Sequence, residues 1–306
     1  MSPQIPPELE RQRYLGPAWG EWLDRLPGLA AALLEEWELT LDGGSLHGFC
    51  SLVLPVRTLA NAPAMLKISF DGDDESQHEA LALQHWAGDG VVRLLRADPR
   101  RRALLLERLH AQDLSDVWDV EACEIVAGFY PRLHQPVLPQ LRTLTSYVDR
   151  WLDDLVALGR DIPVPRRYVE QTVHLGRALV SDEASTGRII HGDLHYANVL
   201  AADREPWLVI DPKPMSGDPH YEPAPMLWDR WEELAGNVRD GVRLRFHTLV
   251  DAAGLDEERA RDWVVVRMVL NAGWAVEDAR RMSRELSRDE REWITRCLAI
   301  VKAVQD

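Results

Sequence analysis

The chain has 306 residues, 46% hydrophobic and 28% charged, an ordinary balance for a globular enzyme and enough for one large domain or two lobes. The 35 Lys and Arg against 50 Asp and Glu leave a net charge of −15, which argues against nucleic acid as a partner and is compatible with a cationic substrate. No apolar run approaches the ~20 residues that span a bilayer, the N-terminus lacks the basic and apolar regions of a secretion signal, and the scattered Cys50, Cys123 and Cys297 offer neither a disulfide framework nor zinc spacing. A cytoplasmic protein that does not engage membranes is expected.

The segment from Ala18 to Glu36 reads as a helix. Residues 37–56 then read as strand, glycine-containing turn, strand. Gly43, Gly44 and Gly48 in this stretch let a backbone approach phosphates closely and present N–H groups to them. Ala64-Met-Leu-Lys-Ile-Ser-Phe70 is a short strand, apolar around one lysine, and a charge so placed needs a partner or a ligand. Residues 75–86 give a helix with an apolar face of Ala80, Leu83 and Trp86 and with Glu79 near its middle. Val91–Leu95 and Arg102–Leu109 flank an Asp98-Pro-Arg turn and read as a hairpin closing a first lobe. The expected division is therefore 1–108 and 109–306. Beyond it the pattern is mostly helical, over 113–135, 143–158, 166–182, 226–253, 256–281 and 287–304, with Asp113, Thr143 and Asp256 as N-caps.

The most informative stretch interrupts those helices. His191-Gly-Asp-Leu-His-Tyr-Ala-Asn198 precedes two short apolar strands, 198–202 and 207–210, joined by Asp203-Arg-Glu-Pro206, and the second strand runs into Asp211-Pro212. Phosphoryl transfer needs a carboxylate to orient the attacking hydroxyl and hard oxygen ligands for Mg²⁺ on the phosphates. Asp193, Asn198 and Asp211 have the residue types, order and spacing for those three tasks: Asp193 as catalytic base, Asn198 and Asp211 as metal ligands. His191 and His195 flank the base and are expected to brace the loop. The chain has no Gly-Lys-Ser/Thr phosphate loop, no His-Glu-x-x-His zinc spacing and no Gly-x-Ser-x-Gly elbow, which excludes a P-loop kinase and leaves a zinc protease or serine hydrolase no foothold.

The block from Ile189 to Asp218, His-Gly-Asp-Leu-His-x-x-Asn followed by Ile-Asp-Pro-Lys-Pro-Met-Ser-Gly-Asp, resembles the aminoglycoside phosphotransferase family, and within it the branch of streptomycin 6-kinases and hydroxyurea phosphotransferases. The resemblance implies an α+β, bilobal protein-kinase-like fold, with a β-rich N-lobe and a mainly helical C-lobe carrying an inserted catalytic hairpin. It implies ATP and Mg²⁺ as cofactors and a small-molecule acceptor, an antibiotic of the streptomycin type first. Lys67 would hold the nontransferred phosphates, fixed by Glu79, with Glu75 as the second choice. Glu107-Arg-Leu109-His would be the hinge facing the adenine ring. His-Gly-Asp in place of His-Arg-Asp, and Ile-Asp-Pro in place of Asp-Phe-Gly, depart from the protein kinases and point away from a protein substrate. Candidate acids for a cationic acceptor are Asp149, Asp153, Asp154, Glu222, Asp229, Glu232, Glu233, Glu277 and Asp278, with Trp228, Trp231 and Trp274 as stacking surfaces. Two other readings stay open: a kinase of another hydroxylated cationic compound or sugar metabolite, and a catalytically silent nucleotide-binding pseudokinase.

Overall fold

The computed structural model describes residues 3–159 and 162–305. In chain order it contains α1 (Pro7–Glu10), α2 (Pro17–Glu36), β1 (Thr40–Leu41), β2 (Leu46–His47), β3 (Ser51–Arg57), β4 (Pro63–Ser69), α3 (Glu79–Trp86), β5 (Leu94–Asp98) and β6 (Ala103–Glu107). There follow α4 (Asp119–Leu133), α5 (Leu144–Ala157), α6 (Arg166–Ser181), β7 (Arg188–Ile190), β8 (Val199–Ala201), β9 (Trp207–Val209) and β10 (Met215–Gly217). The chain ends with α7 (Ala224–Trp228), α8 (Val238–Ala253), α9 (Glu257–Arg281) and α10 (Arg288–Gln305). Two compact units result: residues 1–112 with 200–213, and 113–199 with 214–306.

The first unit is an antiparallel sheet in the order β1-β3-β4-β6-β5, with β2 also on β3. Strand alternation sends Leu52, Leu54 and Val56 of β3, Ala64, Leu66 and Ile68 of β4, and Ala103 and Leu105 of β6 into one core with Trp22, Leu23, Leu26 and Leu33 of α2. Lys67, between Leu66 and Ile68, must then point to the opposite sheet face. Both β1 and β2 pair with β3, and the break between them, at Gly43 and Gly44, lies opposite Pro55. Pro55 accepts from the Asp42 N–H at 2.8 Å but has no N–H to return, so an edge strand cannot run unbroken past it. A Cβ on Gly43 would stand 3.3 Å from the Pro55 ring, which explains a glycine there. Gly48 instead opens the β2–β3 turn, its N–H bonded to the Ser51 carbonyl at 2.9 Å.

Three expectations shift in this unit. The helix over 75–86 begins with a 3₁₀ turn, Glu75–His78, and its buried face is Glu79, Ala82, Leu83 and Trp86 rather than one including Ala80. The strand expected at 91–95 lies at Leu94–Asp98. Residues 90–92 are taken by β9 instead: Val209 donates to the Gly90 carbonyl at 2.9 Å and Val92 donates to the Val209 carbonyl at 2.8 Å. The other hairpin strand exchanges bonds with the segment after β6, His110 N–H to Ala201 O at 3.0 Å and Ala201 N–H to Gln112 O at 2.9 Å. Those bonds account for 200–213 joining the first unit, whereas a single cut after 108 leaves this segment in the second.

The second unit is helical around α9, which is buried without interruption from Trp263 to Gly273. The helix expected over 113–135 is split. Asp113 caps a 3₁₀ turn, accepting from the Ser115 N–H at 2.8 Å, and α4 starts afresh after the extended Trp118. Thr143 and Asp256 cap α5 and α9 as expected. The helix expected over 226–253 is broken into α7, a 3₁₀ turn at Trp231–Leu234, and α8, with Arg230 at φ 48° and Gly236 at φ 88°. Arg245 of α8 takes up carbonyls the break exposes, bonding Asp229 O at 2.5 Å and Met226 O at 3.3 Å.

Candidate active site

In the first unit, β4 and α3 position a buried ionic cluster. Lys67 donates to both Glu79 oxygens at 2.7 Å and also to Asp211 Oδ1. The Lys67 and Glu79 side chains are only 7% and 3% exposed. Burial works against the ammonium, but the Asp211 and Glu79 carboxylates outweigh it and hold Lys67 charged above its ordinary range. Glu79 is thus the carboxylate on Lys67, and Glu75 is exposed. Asp211 sits at φ 54°, a left-handed conformation that aspartate tolerates better than most residues and that recurs at functional turns. Lys213, two residues on, approaches the same Asp211 oxygen at 3.4 Å and is largely buried. Burial again opposes its charge, and Asp211, with Glu79 and Asp73 beyond it, raises its pKa. Cys50 donates to Asp73 at 3.1 Å, and burial pushes its thiol up to about 12, so it stays protonated.

Glu107 and Leu109 lie at the end of β6. The Glu107 carboxylate is bound by Arg204 Nε at 2.9 and 3.2 Å. Arg204 also caps the Gly88 carbonyl at 2.8 Å and the Val91 carbonyl at 2.5 Å, which clamps the hairpin turn to the sheet.

In the second unit, β7 pairs antiparallel with β10 and delivers the chain to His191. The loop that follows is held by buried acceptors. Glu222 is fully buried and accepts from the His191 N–H at 2.5 Å and the Gly192 N–H at 3.1 Å. Burial would raise its carboxyl, but His134, the His191 ring and the His191 N–H hold it below the ordinary glutamate value. Gly192 turns at φ 82°, a conformation strained for any side chain. The Asp193 N–H donates to His191 Nδ1 at 3.2 Å, and Asn198 Nδ2 donates to the Asp193 carbonyl at 2.8 Å. These bonds leave the Asp193 carboxylate one-third exposed at the head of the loop and the Asn198 amide oxygen available as an acceptor. Tyr196 anchors the loop's end on Asp119, which also takes Arg245 at 2.7 Å.

His195 contacts Asp229 at 3.1 Å; burial alone would raise that carboxyl, but the His195 bond and the Arg230 N–H lower it. Most other proposed substrate acids are already engaged. Glu222 braces the loop, Asp149 and Asp153 share Arg177, Glu233 pairs with Arg230 at 2.7 Å, and Asp278 with Arg281 at 2.6 Å. Trp274 packs edge-on against Trp151 at 4.7 Å.

The sequence reading missed two basic residues. Lys213 stands between Pro212 and Pro214, two residues after Asp211. Arg267 is the one charge in Trp263-Val-Val-Val-Arg-Met-Val-Leu270, the same signal that singled out Lys67.

A strand lysine salt-bridged to a helix glutamate, together with a His-Gly-Asp loop leading through an asparagine into a hairpin that ends on aspartate, defines a phosphotransferase of protein-kinase-like fold. The comparisons narrow this class. A family profile described as aminoglycoside/hydroxyurea antibiotic resistance kinase matches residues 36–279, and the chain belongs to that family. It is 40% identical over 275 residues to a streptomycin 6-kinase of Streptomyces glaucescens, covering 87% of this chain and 88% of that one. It is 40% identical over 297 residues to a hydroxyurea phosphotransferase of Kitasatospora aureofaciens, covering 94% and 84%. A crystal structure of an aminoglycoside phosphotransferase in complex with ADP and hygromycin B superposes with a TM-score of 0.61 at 16% identity, over 89% of this chain and 97% of that one, and shows the common fold. The chain is therefore an ATP-dependent kinase acting on an alcohol group, with a sheet-rich N-terminal part and a mostly helical remainder. Among the described residues no helix is long and apolar enough to cross a membrane.

Proposed function

We propose that this kinase transfers the γ-phosphoryl group of ATP to a ring hydroxyl of streptomycin or a close cationic relative. The observation that carries the transfer chemistry is Lys67, bound at once by Glu79 and Asp211 in a buried setting. Such a lysine is an ammonium fixed in place for phosphate oxygens. In this reading the first unit binds the nucleotide. Lys67 takes the nontransferred phosphates, Lys213 adds a second positive charge, and the backbone around Gly43, Gly44 and Gly48 lies along the phosphates. The peptide groups from Glu107 to Leu109 face the adenine.

The residue types suit magnesium: the Asp211 carboxylate, already gathering cations, and the Asn198 amide oxygen, left open by its Nδ2 bond, are the hard oxygen ligands this reading assigns to the ion. When bound, Mg²⁺ supplies neutralisation of phosphate charge. Asp193 orients the acceptor hydroxyl and takes its proton as the oxygen attacks in line, and the departing ADP keeps its charge balanced by Lys67. The chain's net charge of −15 supports a cationic acceptor.

A second acceptor has a specific ground, because the Kitasatospora relative named for hydroxyurea is as similar as the Streptomyces relative named for streptomycin. ADP release with Mg·ATP over streptomycin, other aminoglycosides, hydroxyurea and amino sugars separates them. Streptomycin-dependent turnover is the expected result. Turnover with hydroxyurea and none with streptomycin would replace the acceptor, and nucleotide binding without turnover on any member would favour the silent alternative.

A further inference from the structure

We propose that Arg267 is a positioning residue for the catalytic base: from the middle of α9 it fixes the Gly192 peptide and sets its charge beside the Asp193 carboxylate. This rests on the reading of Asp193 as the group that takes the acceptor's proton. Arg267 Nη2 donates to the Gly192 carbonyl at 2.7 Å and stands 3.7 Å from Asp193 Oδ1. The guanidinium lies over the Tyr221 ring at 4.4 Å and the Trp228 ring at 4.9 Å, an aromatic sandwich that fixes its plane. The residue is 7% exposed, and its Nε and Nη1 are buried with no hydrogen-bond partner among the described residues.

That last point separates positioning from packing. A side chain kept only to fill the core between Val266 and Met268 would be apolar, since two buried donors without acceptors cost stability. Among the described residues, the hydrogen bond Arg267 makes is to the residue before the base. Its reach is also specific. Gly192 carries the left-handed turn that aims Asp193, with its N–H fixed by Glu222 and its carbonyl by Arg267. The glycine that sets the direction of the base is thus held on its two flanking peptides by buried charges of opposite sign. A carboxylate beside a fixed cation also keeps one orientation, which matters because small misplacements of a reacting group are costly.

The test compares Arg267→Met, which keeps the stem and removes the charge, with Arg267→Lys, which keeps the charge and loses the planar fork. Steady-state kinetics with Mg·ATP and the acceptor identified from the panel are expected to show kcat about 10²-fold lower in Arg267→Met. KM for ATP should stay within about threefold, because misaligning the base slows the chemical step without touching the groups assigned to the nucleotide. Arg267→Lys should fall between the two. Wild-type kcat in a folded Arg267→Met enzyme overturns the proposal, as does a loss confined to KM. Should Arg267→Met fail to fold, Arg267→Lys decides: lowered kcat at unchanged KM supports positioning, and wild-type kcat refutes it. Asp193→Ala, measured beside them, tells the two readings apart. Sustained turnover in that variant removes the base assignment, whereas a dead Asp193→Ala with a fully active Arg267→Met removes only the role of Arg267.

Discussion

The ionic cluster of the first unit and the His191–Asn198 loop of the second hold their charges in different ways. Around Lys67 the charges face one another directly: two ammonium groups and the carboxylates of Glu79 and Asp211 neutralise each other on the sheet face opposite α2, with Lys67 and Glu79 buried and Asp211 one-third exposed. Around Asp193, among the described residues, no carboxylate faces an ammonium in this way; what is buried is the set of groups that grip the backbone of its loop from His191 to Asp193, Glu222, Asn198 and Arg267. A nucleotide site exchanges one set of ionic partners for another on binding, so its groups must be poised to let go. A base has to be ready before the acceptor arrives, so its loop is fixed by bonds that the reaction does not break. The difference predicts that substitutions in the first region act through ATP and those in the second through turnover or folding.

The largest break in that comparison is expected at Lys67. Lys67→Met should lower kcat/KM for ATP by about 10²- to 10³-fold, since a preorganised charge on the phosphates is lost, and leave acceptor KM nearly unchanged. A drop in acceptor affinity instead would blur the division. Lys213→Met sharpens it: loss of one exchangeable cation should weaken ADP binding about tenfold by calorimetry with kcat little altered, and unchanged affinity would assign Lys213 to Asp211 alone. Glu222→Gln acts on the other side. It removes a buried charge and one of two loop acceptors, at about 2 kcal/mol, so chemical denaturation should show lower stability with ADP affinity retained. The smallest effect is in pH. Glu222, Asp218 and Asp229 all have lowered folded-state carboxyls. The unfolded chain therefore binds protons first, and the stability these groups confer is complete above the ordinary carboxylate pKa of about 4 and drains away as pH falls through their lowered values. Melting temperature should hold between neutrality and about pH 5 and fall steeply below about 4. A flat profile to pH 3 would deny these carboxylates that weight.

Much of this was legible in the chain. Lys67 stood out as a lone charge in an apolar strand, Glu79 followed at helical distance, and the spacing of Asp193, Asn198 and Asp211 carried the reaction type. What stayed hidden depended on contacts distant in sequence. Val91 and Val92 are as good strand formers as their neighbours, and only the return of Val209 decides that they leave the sheet edge. From Met226 to Leu234 no glycine or inner proline marks a break. Tertiary bonds impose it, Arg230 reaching the Val117 carbonyl at 2.7 Å and Arg245 covering Asp229 O, and that break turns Asp229 toward His195. Glu222 read as a candidate acid for the acceptor because nothing local shows that two N–H groups about thirty residues upstream need it. Arg267 carried the Lys67 signal inside a helix, where an apolar run around one charge attracts less notice than in a seven-residue strand.

The central claim is that Asp193 acts on the acceptor while the Lys67 cluster serves the nucleotide, and Asp193→Ala tests it most directly. ADP titration calorimetry and acceptor-dependent ADP release would be measured on the same preparation. Turnover lowered by about 10³-fold or more, with ADP affinity within about twofold of wild type, is the predicted result. Wild-type turnover, or nucleotide binding lost along with it, would contradict the account.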